Sequence, residues 1–159
     1  MAIELLRIDD RFIHGQVVVG WCPYLNPDRL ILCDDEISRS DWEIEIYREA
    51  ATDYKTSVCS VEETVRLLEN NEVACEKVLL IVESPAVTVK LLNLGVAITK
   101  VNVGGMHHQP GKRQVAPFIY INDEDLENFK ILAHNHILIQ GMDVPNCKPI
   151  DLIKLLHLN

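Results

Sequence analysis

The chain has no apolar run near the roughly 18 residues a membrane-spanning helix needs, which excludes such a span from the sequence as read. Cysteine is sparse: Cys22, Cys33, Cys59, Cys75 and Cys147 are odd in number, widely spaced and form no C-x-x-C. That pattern predicts free, mostly buried thiols in a reducing compartment. Basic residues are outnumbered, 15 against 24 acidic, and the resulting formal charge of -9 argues against a general nucleic-acid binder. It leaves room for a local positive pocket. No repeat, low-complexity tract or linker divides the chain, and the opening MAIELLRIDD meets acidic residues too early for a secretion signal.

What is present fits a globular α/β protein. Apolar residues make up 48% and charged residues 25%, and 159 residues suit one domain, 1–159. Short apolar runs ending in polar residues, AIELLRI (2–8), RLILCDD (29–35), EKVLLIVES (76–84), and the briefer TSVCS (56–60) and TKVNVGG (99–105), read as buried strands. Helical stretches lie between them. Residues 15–24 start a helix directly after the first loop. Residues 40–54 place Trp42, Ile46 and Ala50 on one face at i, i+4, i+8, predicting that face inward. Ser60 and Glu63 form a capping box for a helix reaching about Asn70, Pro85 opens the next and Gly95 ends it, and 123–134 form another. The alternation predicts an open, mainly parallel twisted sheet with helices on both faces. Residues 104–121 break the rhythm with GGMHHQPGKRQ and then APFIYI, an extra strand.

Such sheets bind ligands beyond the carboxyl ends of their strands. RIDDRFIHGQV, residues 7–17, forms the loop after the first strand, and the next helix starts near Gly15 or Gln16. Its first amides have no intrahelical partners and favour an anion. Arg11 suits phosphate oxygens, and His14 is a competent nucleophile near neutral pH. An adjacent aspartate, Asp10 for instance, would hold one tautomer of the ring. Asp34, Asp35, Ser84 and the GGMHHQPGKRQ loop, with Lys112 and Arg113 as a positive pair, end at the same edge. That loop is no Walker A, since it lacks the glycine spacing, the G-K-S/T ending and a following helix.

Plainer readings stand beside these. A lone histidine after a strand, such as His14, is more often a hydrogen-bonded loop residue than a nucleophile, and Arg7, Asp9, Asp10 and Arg11 equally suit surface ion pairs. Asp34 and Asp35 suit a turn, His134 and His136 structural or solvent-facing positions, and Trp21 and Trp42 packing. His107 and His108 lack metal-ligand spacing, and no residue pattern calls for a metal or cofactor. The residues alone reach an α/β domain with an anion-friendly site at His14.

The runs RIDDRFIHGQVVVGW, LNPDRLILCDDE, VNVGGMHHQPGKRQV, DEDLENF and DVPN together resemble the IIB component of the mannose/fructose/sorbose class of the phosphoenolpyruvate-dependent sugar phosphotransferase system (PTS). The resemblance covers nearly the whole chain. It implies that His14 receives a phosphoryl group from a phosphohistidine of a IIA component and passes it to a sugar carried by membrane IIC and IID components. It also implies a cytoplasmic carrier associated peripherally with its permease. By the same resemblance Asp10 and Arg11 orient the ring and steady the phosphoryl oxygens, and Gly15, Gln16, Gly104, Gly105, Met106 and His107 complete the pocket. His14 should then be open to two partners in turn. Two positions depart from the family pattern: Met142, where relatives often carry a polar residue, and AATDYK near 50–55, in place of an A-A-P-x-G turn. No fused IIA segment accompanies the chain, which implies a separate donor. Nothing in the sequence requires self-association. The rival reading is a regulatory or interaction domain that keeps the fold without sugar transport.

Overall fold

The computed structural model describes residues 3–159. Strand β1 (Ile3–Asp9) leads through a π-helix (Gln16–Trp21) into α1 (Cys22–Leu25), then β2 (Arg29–Cys33), α2 (Asp41–Ala50), β3 (Lys55–Cys59), α3 (Val61–Glu69) and α4 (Asn71–Ala74). After these come β4 (Val78–Val82), α5 (Pro85–Asn93), β5 (Lys100–Gly105), β6 (Arg113–Ala116), β7 (Ile119–Ile121), α6 (Asp123–His134), β8 (Leu138–Gly141), β9 (Ile150–Asp151) and α7 (Leu152–Leu155).

The main sheet runs β3-β2-β4-β1-β5-β8-β9. All its pairs are parallel except β8 with β9. Alternation along the strands explains the continuous apolar runs. Leu6, Ile8, Ile31, Leu80 and Val82 join the core beneath α3, α5 and α6, while Leu5, Leu30, Leu32, Leu79 and Ile81 join the other core, with Val17 and Trp21. Both faces are buried, so neither tolerates polar alternation.

The helix ends follow the predicted chemistry. Ser60 Oγ accepts from the Glu63 amide at 3.2 Å while the Glu63 carboxylate accepts from the Ser60 amide at 2.8 Å. Pro85 occupies the first turn of α5, and Gly95 leaves it at φ +90°.

One reading is corrected. The face of α2 carrying Trp42 and Ile46 points to solvent, with Trp42 68% and Ile46 49% exposed. The helix is turned by about one residue, roughly 100°, so that Tyr47 packs against the core while Ala51 is buried beyond its end. Trp21, in contrast, is a core residue, 3% exposed. The APFIYI segment forms the extra strand expected of it, outside the main sheet. Its β7 pairs antiparallel with β6 as a separate ribbon, tied to the end of β5 by a bridge between Met106 and Ile119.

The chain leaves β1 toward β2 on one side of the sheet, and leaves β5 toward β8 on the other. Adjacent strands β1 and β5 therefore flank the switch point, where open α/β sheets hold ligands. The loops that follow these two strands are those carrying His14 and His107.

Candidate functional site

Residues 5, 7 and 9 of β1 share one face of the sheet. Where Leu5 is apolar, Arg7 and Asp9 carry charge, and both are fully buried. The Arg7 guanidinium donates to Asp9 Oδ2 (3.1 Å from Nη2), to Asn102 Oδ1 (2.6 Å) and to the carbonyls of Met142 (2.9 Å) and Asp143 (3.0 Å). It also lies 5.0 Å from the ring centroid of Trp21, in cation–π contact. Burial lowers the Arg7 pKa, and the Asp9 carboxylate works against that effect.

Asp9 is the hub. Its Oδ2 accepts from His14 Nε2 at 2.8 Å and its Oδ1 from the Arg11 amide at 3.1 Å and Arg11 Nε at 3.3 Å. Burial pushes the Asp9 pKa up, but the His14 hydrogen bond, the Arg7 charge and the Arg11 amide outweigh it and hold the group at about 2. An ionised carboxylate only accepts, so His14 Nε2 carries a proton, and Nδ1 is the nitrogen that offers a lone pair in the neutral form of the ring. The His14 side chain is 19% exposed. Arg11 Nη2 also donates to Gln16 Oε1 at 2.9 Å, which fixes the guanidinium beside the start of the helix. Arg7 and Arg11 thus converge on the one Asp9 carboxylate.

The structure redistributes the roles expected of several residues. Asp10 does not touch His14. It lies in the turn just beyond β1 and accepts from the His107 amide at 2.7 Å and from His107 Nδ1. Its own amide donates to the Gly105 carbonyl at 3.1 Å. Asp10 thus ties the two loops together, and the carboxylate on the ring is Asp9. Gly104 makes room for Arg7: a Cβ there would stand 1.9 Å from the guanidinium carbon. Met106 is 2% exposed, and its amide is engaged by the Phe118 carbonyl at 3.0 Å, so it offers an anion nothing. The His107 amide is likewise taken, but its half-exposed ring stands at the rim. A Cβ on Gly105 would lie 3.2 Å from Asp9 Oδ1, 3.3 Å from Arg11 Nη2 and 3.5 Å from His107 Cε1, which makes Gly105 the floor between these groups. Gly15 stands in open space at the head of the helix.

The expected positive pair is absent from the pocket. Lys112 bridges to Asp125 at 3.1 Å and Arg113 to Asp123 at 3.4 Å, both on α6. Asp34 accepts from the amides of Glu36 and Ile37, Asp35 from the amide of Val61, and Ser84 caps α5, so these three serve turns and helix starts. Met142 contributes its carbonyl to Arg7, and its side chain packs against the core that holds Trp21.

Sequence reasoning passed over Arg7, Asp9 and Asn102 as site residues. The available signal was an arginine inside an apolar strand, two residues before an aspartate, on a face otherwise packed with Leu5.

Comparison with known proteins follows this geometry. The family described as "PTS system sorbose subfamily IIB component" matches residues 3–159. The fructose-specific EIIB component of Bacillus subtilis (strain 168) is 30% identical over 158 residues, 99% of this chain and 97% of that protein. The mannose-specific EIIAB component of Escherichia coli (strain K12) is 36% identical over 157 residues, 96% of this chain. This chain spans only 49% of that longer protein. Among solved structures, the IIBSor domain of the sorbose permease from Klebsiella pneumoniae superposes with a TM-score of 0.93 at 29% identity, covering 99% of this chain and 97% of that one.

Proposed function

The chain belongs to the sorbose-subfamily IIB components of the phosphotransferase system, and we propose that it is a single IIB domain, residues 1–159, carrying a phosphoryl group on His14. The donor is a phosphohistidine of a IIA component. The acceptor is a sugar presented by membrane IIC and IID components, which the carrier meets from the cytoplasmic side. Among the described residues no helix is long and apolar enough to cross a membrane, which agrees with a carrier that docks on its permease.

The observation that carries this reading is the buried Arg7–Asp9 pair beneath the His14 ring. Burying two charges costs several kcal/mol each before their attraction offsets it, and a domain kept only for docking has no use for such a base. With Nε2 held by Asp9, the nucleophile is Nδ1. Its lone pair attacks phosphorus, the new Nδ1–P bond forms as the donor's N–P bond breaks, and the donor nitrogen recovers its electron pair. No proton needs to move. The phosphorylated ring is cationic, and the Nε2–H bond to ionised Asp9 stabilises that charge. Arg11, the amides at Gly15 and Gln16 and the His107 ring meet the phosphoryl oxygens, so transfer rests on positioning and charge. The sugar hydroxyl oxygen then attacks phosphorus as the Nδ1–P bond breaks, Nδ1 takes back its electron pair, and the hydroxyl proton leaves to water.

Incubation with phosphoenolpyruvate, enzyme I, HPr and a cognate IIA tests the proposal. An acid-labile, alkali-stable label appears on the wild type and is absent from His14→Ala. Normal labelling of that variant refutes the assignment.

A further inference from the structure

Phe12 lies between Arg11 and His14 with φ at +63°, a left-handed conformation that bulky L-residues rarely adopt. No glycine stands there to accept it. The chain on either side shows what the turn accomplishes. Arg11 and His14 both reach back to one carboxylate, Asp9, at 3.3 Å and 2.8 Å. The Phe12 amide donates to the Asp9 carbonyl at 3.0 Å, closing the turn on the same residue.

The Phe12 side chain goes elsewhere. It is partly buried against the core on the α1 side of the sheet, and its ring meets Tyr47 of α2 edge-to-face, with centroids 5.8 Å apart and planes at 70°. Edge-to-face aromatic pairs are favourable beyond the area they bury. Tyr47 is also the residue around which α2 is rotated, at the expense of exposing Trp42 and Ile46. Backbone strain of this kind persists only where the surroundings over-determine it.

We propose that Phe12 and Tyr47 are positioning residues for phosphoryl transfer: the aromatic contact holds residue 12 left-handed, and that turn brings Arg11 and His14 onto Asp9. Neither ring touches the reacting atoms. The proposal rests on the reading of His14 as the phosphoryl acceptor.

The test uses phosphoramidate, a small phosphoryl donor that needs no protein docking surface, so defects in partner binding do not enter. Phe12→Gly keeps the left-handed backbone accessible and removes the ring. Tyr47→Ala removes the seat, and Tyr47→Phe preserves it. Labelling of His14 is expected to slow about tenfold in the first two and to hold its wild-type rate in the third, as misplacement of a reacting group predicts. The Nε2–H resonance of His14, shifted by its bond to Asp9, is expected to disappear in the two slow variants and to survive in Tyr47→Phe. Wild-type labelling rates in Phe12→Gly and Tyr47→Ala overturn the proposal, as does an unchanged resonance in both. Should Tyr47→Ala fail to fold, Phe12→Gly decides alone. Should the wild type take no label, the carrier reading fails, and the resonance still decides the positioning role.

Discussion

Asp9 organises the site because its position on β1 gives it a buried face and its partners give it charge. A folded pKa held at about 2, against about 3.9 for a free aspartate, has a defined consequence. The depressed pKa contributes stability that is fully present above about pH 4 and is lost as pH falls toward 2, on the order of 2 kcal/mol in total. Asp9→Asn removes the counter-charge of a fully buried arginine and should cost about 3–5 kcal/mol at neutral pH, read by urea unfolding. Its stability should then be flatter than the wild type's between pH 4 and 2. Equal acid sensitivity in both proteins would mean that Asp9 is not the titrating group. His14 and Arg11 were legible in the sequence from the strand–loop–helix break and its anion-binding helix start. The choice of aspartate was not, because Asp9 and Asp10 are neighbours of the same type, told apart by where β1 ends: Asp9 is its last residue and Asp10 lies in the turn beyond. The contact of Asp10 with His107 joins residues 97 apart in the chain, a separation that no local pattern encodes.

At the scale of elements, strands and helix ends were the most readable features. Apolar runs of five to seven residues ended where polar residues resumed, and Ser60–Glu63 and Pro85 supplied chemistry that acts over one turn. The facing of α2 was not readable. A short helix whose apolar residues lie on two sides offers two faces by spacing alone, and the partner that selects one, Phe12, sits on a distant loop. Trp42→Ala should therefore change stability by less than about 0.5 kcal/mol, as an exposed position does, rather than the 3–5 kcal/mol that a core tryptophan costs. Denaturant melts of Trp42→Ala and Trp21→Ala make the comparison directly; a large loss in the former would mean that α2 is turned the other way. The β6–β7 ribbon escaped detection as a pair because β6 is short, polar and mostly exposed.

For the whole molecule, the two-faced core was implied by continuous apolar strands. Net charge, in contrast, says nothing of how the site is built: within a chain of charge -9, Arg7 and Arg11 converge on one aspartate. The thiols report on the same packing. Cys22 and Cys33 are buried, and burial pushes their pKa values to about 11 and about 12, whereas Cys75 is exposed. The expectation of mostly buried thiols holds fully for those two, while Cys59 and Cys147 are half-buried. In the native protein a thiol-specific disulfide reagent should modify Cys75 first and reach Cys22 and Cys33 only as fast as the molecule opens. Rapid modification of all five would contradict the core described here.

Phosphoryl transfer as proposed turns on one atom, Nδ1 of His14, left available because Asp9 holds Nε2. The direct measurement is the nitrogen and phosphorus resonance spectrum of the protein labelled on its histidine rings and phosphorylated by a cognate IIA donor. Coupling of phosphorus to Nδ1 of His14, with Nε2 still protonated, is the predicted result. Coupling to Nε2, or to a nitrogen of His107, would contradict it.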